Sequence, residues 1–192
     1  MKSTHFISAV GVAALCLLGA PVYAQNMNLN QHDLNFVQNQ ARANVAEIEL
    51  GRVAQQKATT PMVKDFANRM VQDHTKLNDQ LKTWAAQNHV SLPTAPSQAA
   101  LNQKAKLDQL SGSAFDRAYM MDMLSDHRHD VKQVQRMAEN AANPQVKQLA
   151  AQVLPTLQDH LRLAEHDAGE MHLPSTKGLN HAGEATRTGS QQ

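Results

Sequence analysis

The chain has 192 residues, enough for one domain with a real core and short for two. It carries 18 Lys and Arg against 17 Asp and Glu, aromatic residues make up 4%, and Cys16 is its one cysteine. That balance gives no electrostatic case for nucleic acid or for an anionic membrane surface. The abundance of Ala, Gln, Asn, Leu and Met points to helices, with strand signals nearly absent.

The first residues, "MKSTHFISAVGVAALCLLGAPVYAQ", place Lys2 before an apolar run from Phe6 to Leu18 and then the small-x-small sequence Val22-Tyr23-Ala24. Residues 1–24 therefore read as a signal peptide cut after Ala24, which sends the chain to the periplasm or the exterior. The apolar run is shorter than the ~20 residues a membrane span needs, so no integral membrane segment is expected after cleavage. Removal of Lys2 and Cys16 leaves 17 basic against 17 acidic residues and no cysteine. Disulfides, thiolate metal sites, cysteine nucleophiles and covalent haem attachment are then excluded together.

Residues 30–171 read as one helical domain. A first helix is expected from about Leu34 to Ala58, ending at "TTP", where Thr60 caps and Pro61 opens a second helix that continues to about Asn88. A loop follows, then a short helix from about Gln98 to Leu110. "SGSAFD" restarts the chain, with Ser113 and Asp116 spaced as a capping box, and a third long helix runs to about Ala142. Asn143 and Pro144 cap and open the fourth, which reaches about Gly169 and contains Pro155, expected to kink it. Residues 172–192 are polar, Gly-bearing and without a period, and read as a disordered tail.

The apolar stripes alternate steps of three and four, which places each on one helix face. The second helix shows Val63, Ala67, Met70, His74, Leu77 and Leu81; the third shows Met120, Leu124, His127, Val131 and Val134; the fourth shows Val146, Ala150, Val153, Leu157, His160 and Ala164. The first helix is apolar on two sides, and its stripe Phe36, Gln40, Ala43, Glu47, Leu50 and Ala54 carries a glutamate at its middle. Four such stripes are buried by an all-α four-helix bundle with a long crossover between the second and third long helices. The second apolar side of the first helix leaves room for a homodimer or an envelope protein partner.

Heights along the bundle bring four polar groups together. Glu47 and His74 each lie about 13 residues from the turn near Thr60, while His127 lies about 16 before Asn143 and His160 about 17 after it. At 1.5 Å per residue, the second pair is level within roughly 3 Å. Glu47, His74, His127 and His160 thus converge on the interior, one from each helix. Histidine nitrogen and carboxylate oxygen suit Fe, Zn, Cu or Mn, and a metal-free buried polar network is the other solution for such groups. Asp73, Asp126 and Asp159 each precede a histidine and point toward a neighbouring helix, where a carboxylate accepts a ring N–H or lies on a solvated face. Tyr119 borders the site or packs near its helix start. Met70, Met120 and Met123 lie about one turn away and read as copper-suited thioethers or as core filler. No Gly-rich phosphate loop, nucleophile elbow or Ser-His-Asp order is visible, so no reaction is assigned.

"AEIELGRVA", "FANRMVQDH", "LSGSAFDRAYM" and "LPTLQDHLRLA" resemble the secreted bacterial proteins grouped as domain of unknown function family 4142, from about Phe36 to Ala168. The resemblance implies a ferritin-like bundle, a frequent label as envelope or outer-membrane protein, and no established activity. The family's motif positions fall on Glu47, Asp73, His74, Phe115, Asp116, Tyr119, His127, Pro155 and His160. Ferritin-like di-iron proteins carry Glu-x-x-His pairs; here Val71, Leu124 and Leu157 stand three residues before the histidines, which argues against a di-iron oxidase or iron store. The expected function is a periplasmic or secreted ferritin-like protein that binds a transition metal in the bundle core for buffering, sensing or stress protection. A metal-free structural or interaction module of the envelope is the alternative, and a metal-dependent redox enzyme a third.

Overall fold

The computed structural model describes residues 29–174, so the expected signal peptide and most of the expected tail lie outside the described residues. Five helices follow one another: α1 (Gln31–Lys57), α2 (Pro61–Gln87), α3 (Gln98–Asp108), α4 (Gly112–Asn140) and α5 (Pro144–Glu170). No strand occurs among the described residues.

Most helix starts use the expected side chains. Thr60 accepts from the N–H of Val63 with Pro61 in the first turn, and Asn143 accepts from the N–H groups of Gln145 and Val146 ahead of Pro144. Asn30 and Ser97 cap α1 and α3 in the same way. The capping box expected at Ser113 and Asp116 is not made. Ser111 precedes α4 without a side-chain cap bond, and Gly112 enters the helix at φ +60°, a conformation glycine adopts without a steric penalty.

Asp116 is engaged elsewhere. Its carboxylate accepts from the backbone N–H of Thr59 (3.0 Å), the Thr59 hydroxyl (2.7 Å) and the backbone N–H of Thr60 (2.9 Å). Three donors at the unsatisfied start of α2 outcompete one local N–H of α4. A counterpart exists at the other end, where Asp33 of α1 accepts from the N–H of Asn143 (2.8 Å). Each hairpin turn is therefore clasped by an aspartate from the opposite hairpin.

These clasps settle the direction of every helix. α1 and α5 run one way, α2 and α4 the other, and the connection 88–111 returns along the bundle. α1 packs on α2 and α4 on α5, and the ring closes through α2 on α5 and α1 on α4. All neighbouring long helices are antiparallel. The short α3 rests against α1 and α4, held where Lys57 reaches the carbonyls of Leu107 and Asp108 and where Gln103 donates to Asp126 (2.8 Å).

The core has two apolar halves. Leu50, Val63, Phe66, Met70, Phe115, Met120 and Met123 form the one nearer the α1–α2 turn. Phe36, Val37, Leu77, Leu81, Val134, Val146 and Leu157 form the other. Between them lies a buried polar layer of Asn44, Glu47, His74, His127 and His160.

Two expectations change. The second apolar side of α1 is not free for a partner, because Val37, Ala41 and Ile48 are buried within the chain's own bundle. Pro155 lies inside α5 as expected, and Ala151, whose carbonyl loses a donor there, is exposed and reachable by water. His172 and Leu173, placed in the tail by composition, still belong to the fold. His172 takes φ +50°, the Leu173 N–H bonds to the Ala168 carbonyl (2.9 Å), and the Leu173 side chain packs on the core.

Candidate metal centre

His74 on α2, His127 on α4 and His160 on α5 meet at the centre of the polar layer, each at most 2% exposed. Ring centroids lie 5.8 Å apart for His74 and His127, 5.2 Å for His74 and His160, and 5.3 Å for His127 and His160. One ligand atom from each ring lies within 4.8 Å of the other two. Among the described residues, this is the group of three or more His, Cys, Asp or Glu side chains with that geometry.

The hydrogen bonds on the outer side of each ring assign its proton. Nδ1 of His74 faces the side-chain amide oxygen (Oδ1) of Asn44 at 3.1 Å, Nδ1 of His127 faces the backbone carbonyl of Met123 at 2.9 Å, and Nε2 of His160 faces the Asp73 carboxylate at 3.1 Å. All three partners are acceptors, so each of those nitrogens donates and carries the hydrogen. The opposite nitrogens, Nε2 of His74, Nε2 of His127 and Nδ1 of His160, are buried with no hydrogen-bond partner. They therefore hold unshared lone pairs.

Electrostatics keep them so. Burial depresses the His74 imidazole well below its usual range, with the neighbouring His127 and His160 adding to it. Burial, with His160 nearby, takes His127 down to about 4. His160 is lowered by burial as well, only partly offset by its bond to Asp73. Burial alone would raise the Asp73 carboxyl, but hydrogen bonds from His160 and Arg69 hold it below the usual range. Three neutral rings with inward lone pairs are the protonation state that metal coordination requires.

Such an arrangement is expensive without a ligand. Each unpartnered buried polar atom costs ~1–3 kcal/mol, so three together consume a large share of a typical ~5–15 kcal/mol stability. Leucine at these positions would continue each apolar stripe at no such cost. The donor set therefore fits a cation with nitrogen preference.

Of the sequence-derived candidates, the three histidines come together and Glu47 does not join them. Glu47 is buried in the same layer, 4% exposed, with Oε2 unpartnered, and it borders the groove between α1, α3 and α4. Burial, followed by Asp126, Asp130 and Asp122, raises its carboxyl well above the usual range. Asp73 holds His160, whereas Asp126 binds Gln103 and Asp159 pairs with Arg162 on the exposed surface. Asp116 clasps the α1–α2 turn. Tyr119 is stacked on Phe115 and edge-on to Phe66, its buried hydroxyl unpartnered. Met70, Met120 and Met123 belong to the apolar half of the core beside the layer.

Sequence reasoning missed Asn44 and the Met123 carbonyl. Asn44 lies on a second α1 stripe, Val37, Ala41, Asn44, Ile48 and Gly51, all buried. That stripe was the available signal.

Fold and site together define a helical bundle with a buried cluster of three histidines. The chain belongs to the family described as Domain of unknown function (DUF4142), whose model matches residues 19–166. No curated protein matches the sequence. Among solved structures, CopM in its Cu(II)-bound form is similar, with 19% identity and a TM-score of 0.61 over 72% of this chain and 97% of that one. A DUF305 fragment from Deinococcus radiodurans shares 19% identity with a TM-score of 0.63, covering 74% and 98% of the two chains. A DUF305 protein from Streptomyces coelicolor, described as secreted, shares 17% identity with a TM-score of 0.61, covering 74% and 95%. At these identities the likeness establishes the fold. Among the described residues no helix is long and apolar enough to cross a membrane.

Proposed function

We propose that the protein binds one transition-metal ion between His74, His127 and His160 and acts outside the cytoplasm as a metal-holding protein rather than a catalyst. The observation that carries this reading is the set of three unpartnered, buried imidazole nitrogens whose opposite nitrogens are all tied to acceptors. The outer acceptors hold each ring in the tautomer a ligand needs. A set of three neutral nitrogens favours copper or zinc over manganese and iron(II), which draw on carboxylate oxygen. The Cu(II)-bound state of CopM, a bundle of the same fold, is compatible with copper. Buffering or stress protection outside the cytoplasm agrees with the amino-terminal sequence.

Elemental analysis of the mature protein, purified without an affinity tag, tests the reading. Close to one copper or zinc per chain is expected, with loss in His74→Ala and in His127→Ala. Asn44→Ala keeps all three ligands and is expected to weaken binding by about 10–100-fold, the usual effect of removing a group that orients a ligand. Protein that stays folded, contains no metal and takes up neither ion would refute the assignment.

A further inference from the structure

Two grooves reach the polar layer from opposite sides, and they differ in charge. The groove between α2 and α5, about 290 Å³, places Arg69 and Lys76 beside Asp73 and Asp159. Arg69 is ion-paired with Asp73, so a guanidinium stands next to the carboxylate that holds His160. The groove between α1, α3 and α4, about 520 Å³, is lined by Glu47, Asp126 and Asp130, with Arg42 and His129 as its basic residues. Arg42 itself leans on Asn39.

Glu47 is the independent sign of a ligand here. It lines the groove although it is 96% buried by its 4% exposure, and its Oε2 has no hydrogen-bond partner. Burial holds this carboxyl in its protonated form, and a buried polar group without a partner is destabilising; a cation that displaces the proton satisfies it. The three histidines, being neutral, exert no long-range pull on a cation. The Asp126 and Asp130 carboxylates in a concave wall do, and they raise encounter rates in a salt-dependent way.

We propose that the α1–α3–α4 groove is the route by which a divalent cation reaches the three histidines, with Glu47 as the transfer ligand between groove and centre. The proposal rests on the three-histidine reading and adds to it the path and a residue that acts in transit. Asp126 and Asp130 collect the cation at the rim, and Glu47 replaces lost water ligands while the ion moves inward. In the opposite groove Asp73 is paired with Arg69 and Lys76, and Asp159 with Arg162, so its carboxylates offer a cation less than those of the α1–α3–α4 groove.

Stopped-flow Zn²⁺ uptake by the metal-free mature chain, with release into excess chelator, provides the test. Glu47→Gln is expected to slow uptake and release together, each at least tenfold, because a transfer ligand lowers one barrier crossed in both directions. Asp130→Asn, which removes the charge of this half-buried aspartate and nearly keeps its size, is expected to slow uptake about tenfold and to flatten its salt dependence. Uptake rates unchanged in both variants overturn the route. Faster release with unchanged uptake in Glu47→Gln also overturns it, by making Glu47 a resident ligand. Faster uptake in Lys76→Glu assigns entry to the other groove and overturns it too. Wild-type protein that holds no Zn²⁺ at equilibrium removes both readings, whereas wild-type binding with groove-independent kinetics removes the route alone.

Discussion

The protonation of three imidazoles decides what the centre can do, and pH reports on it. His127 has its side chain buried and its titration lowered to about 4. An unfolded histidine titrates near ~6.5. Between those values the unfolded chain takes up a proton that the folded chain refuses, so stability falls as pH drops through that window. The shift is worth about 3 kcal/mol for this one ring at its low end. His74 and His160 are lowered too and act in the same direction. Glu47, Asp122, Asp126 and Asp130 oppose them: burial raises all four carboxyls, Asp130 to about 6, so each favours the folded state as pH falls through its elevated range. In urea titrations of metal-free protein with chelator present, the difference between His127→Leu and wild type isolates this ring: the variant should gain stability relative to wild type steadily as pH falls from about 6.5 to 4. A difference that stays constant across the window would mean that the ring does not titrate differently in the folded and unfolded chain.

Helices in this bundle were largely readable, because caps and periodicity are local. Thr60-Pro61 and Asn143-Pro144 mark two starts through side chains that bond within their own first turn. Ser113 and Asp116 have a capping spacing too, yet spacing does not say which N–H a carboxylate will meet, and the start of α2 lies closer to Asp116 in space than in sequence. On the first helix both apolar sides are buried: the stripe through Glu47, with only Ala43 half-buried, and the stripe through Asn44. α1 and α2 come close together at Gly51. A methyl added there would sit 2.7 Å from a Val71 methyl and 3.3 Å from the Ala67 carbonyl oxygen. Gly51→Ala gains about 1 kcal/mol of helix propensity, but overpacking a stiff β-branched neighbour and a backbone oxygen costs about 1–3 kcal/mol. A net loss of about 1 kcal/mol is expected in chemical denaturation, and a stabilised variant would show that the two helices are not in close contact there.

As an assembly, the molecule is two hairpins clasped at both ends by Asp116 and Asp33, with a polar layer dividing its apolar core. A ligand that satisfies this layer binds the folded chain alone and so raises its stability. At free Zn²⁺ or copper of 100 times Kd the gain is about 2.7 kcal/mol, which for a domain of this size lifts Tm by about 5–10 °C. Differential scanning fluorimetry with and without chelator should register that rise, and the rise should vanish in His160→Ala. Equal melting of both wild-type samples in saturating metal would leave the layer as a metal-free network. The linear order of residues was enough to establish the helices, their inward stripes and the mid-helix level of Glu47, His74, His127 and His160, since all of these follow from a 3.6-residue period and a 1.5 Å rise. It was not enough to tell which ring nitrogens face inward, that Asn44 and Asp73 hold two rings while Asp126 and Asp159 turn away, or that Glu47 opens onto a groove. Those depend on how each helix turns about its own axis and which rotamer it is left with. Both are set by close packing against three neighbours, and no spacing along one helix encodes them.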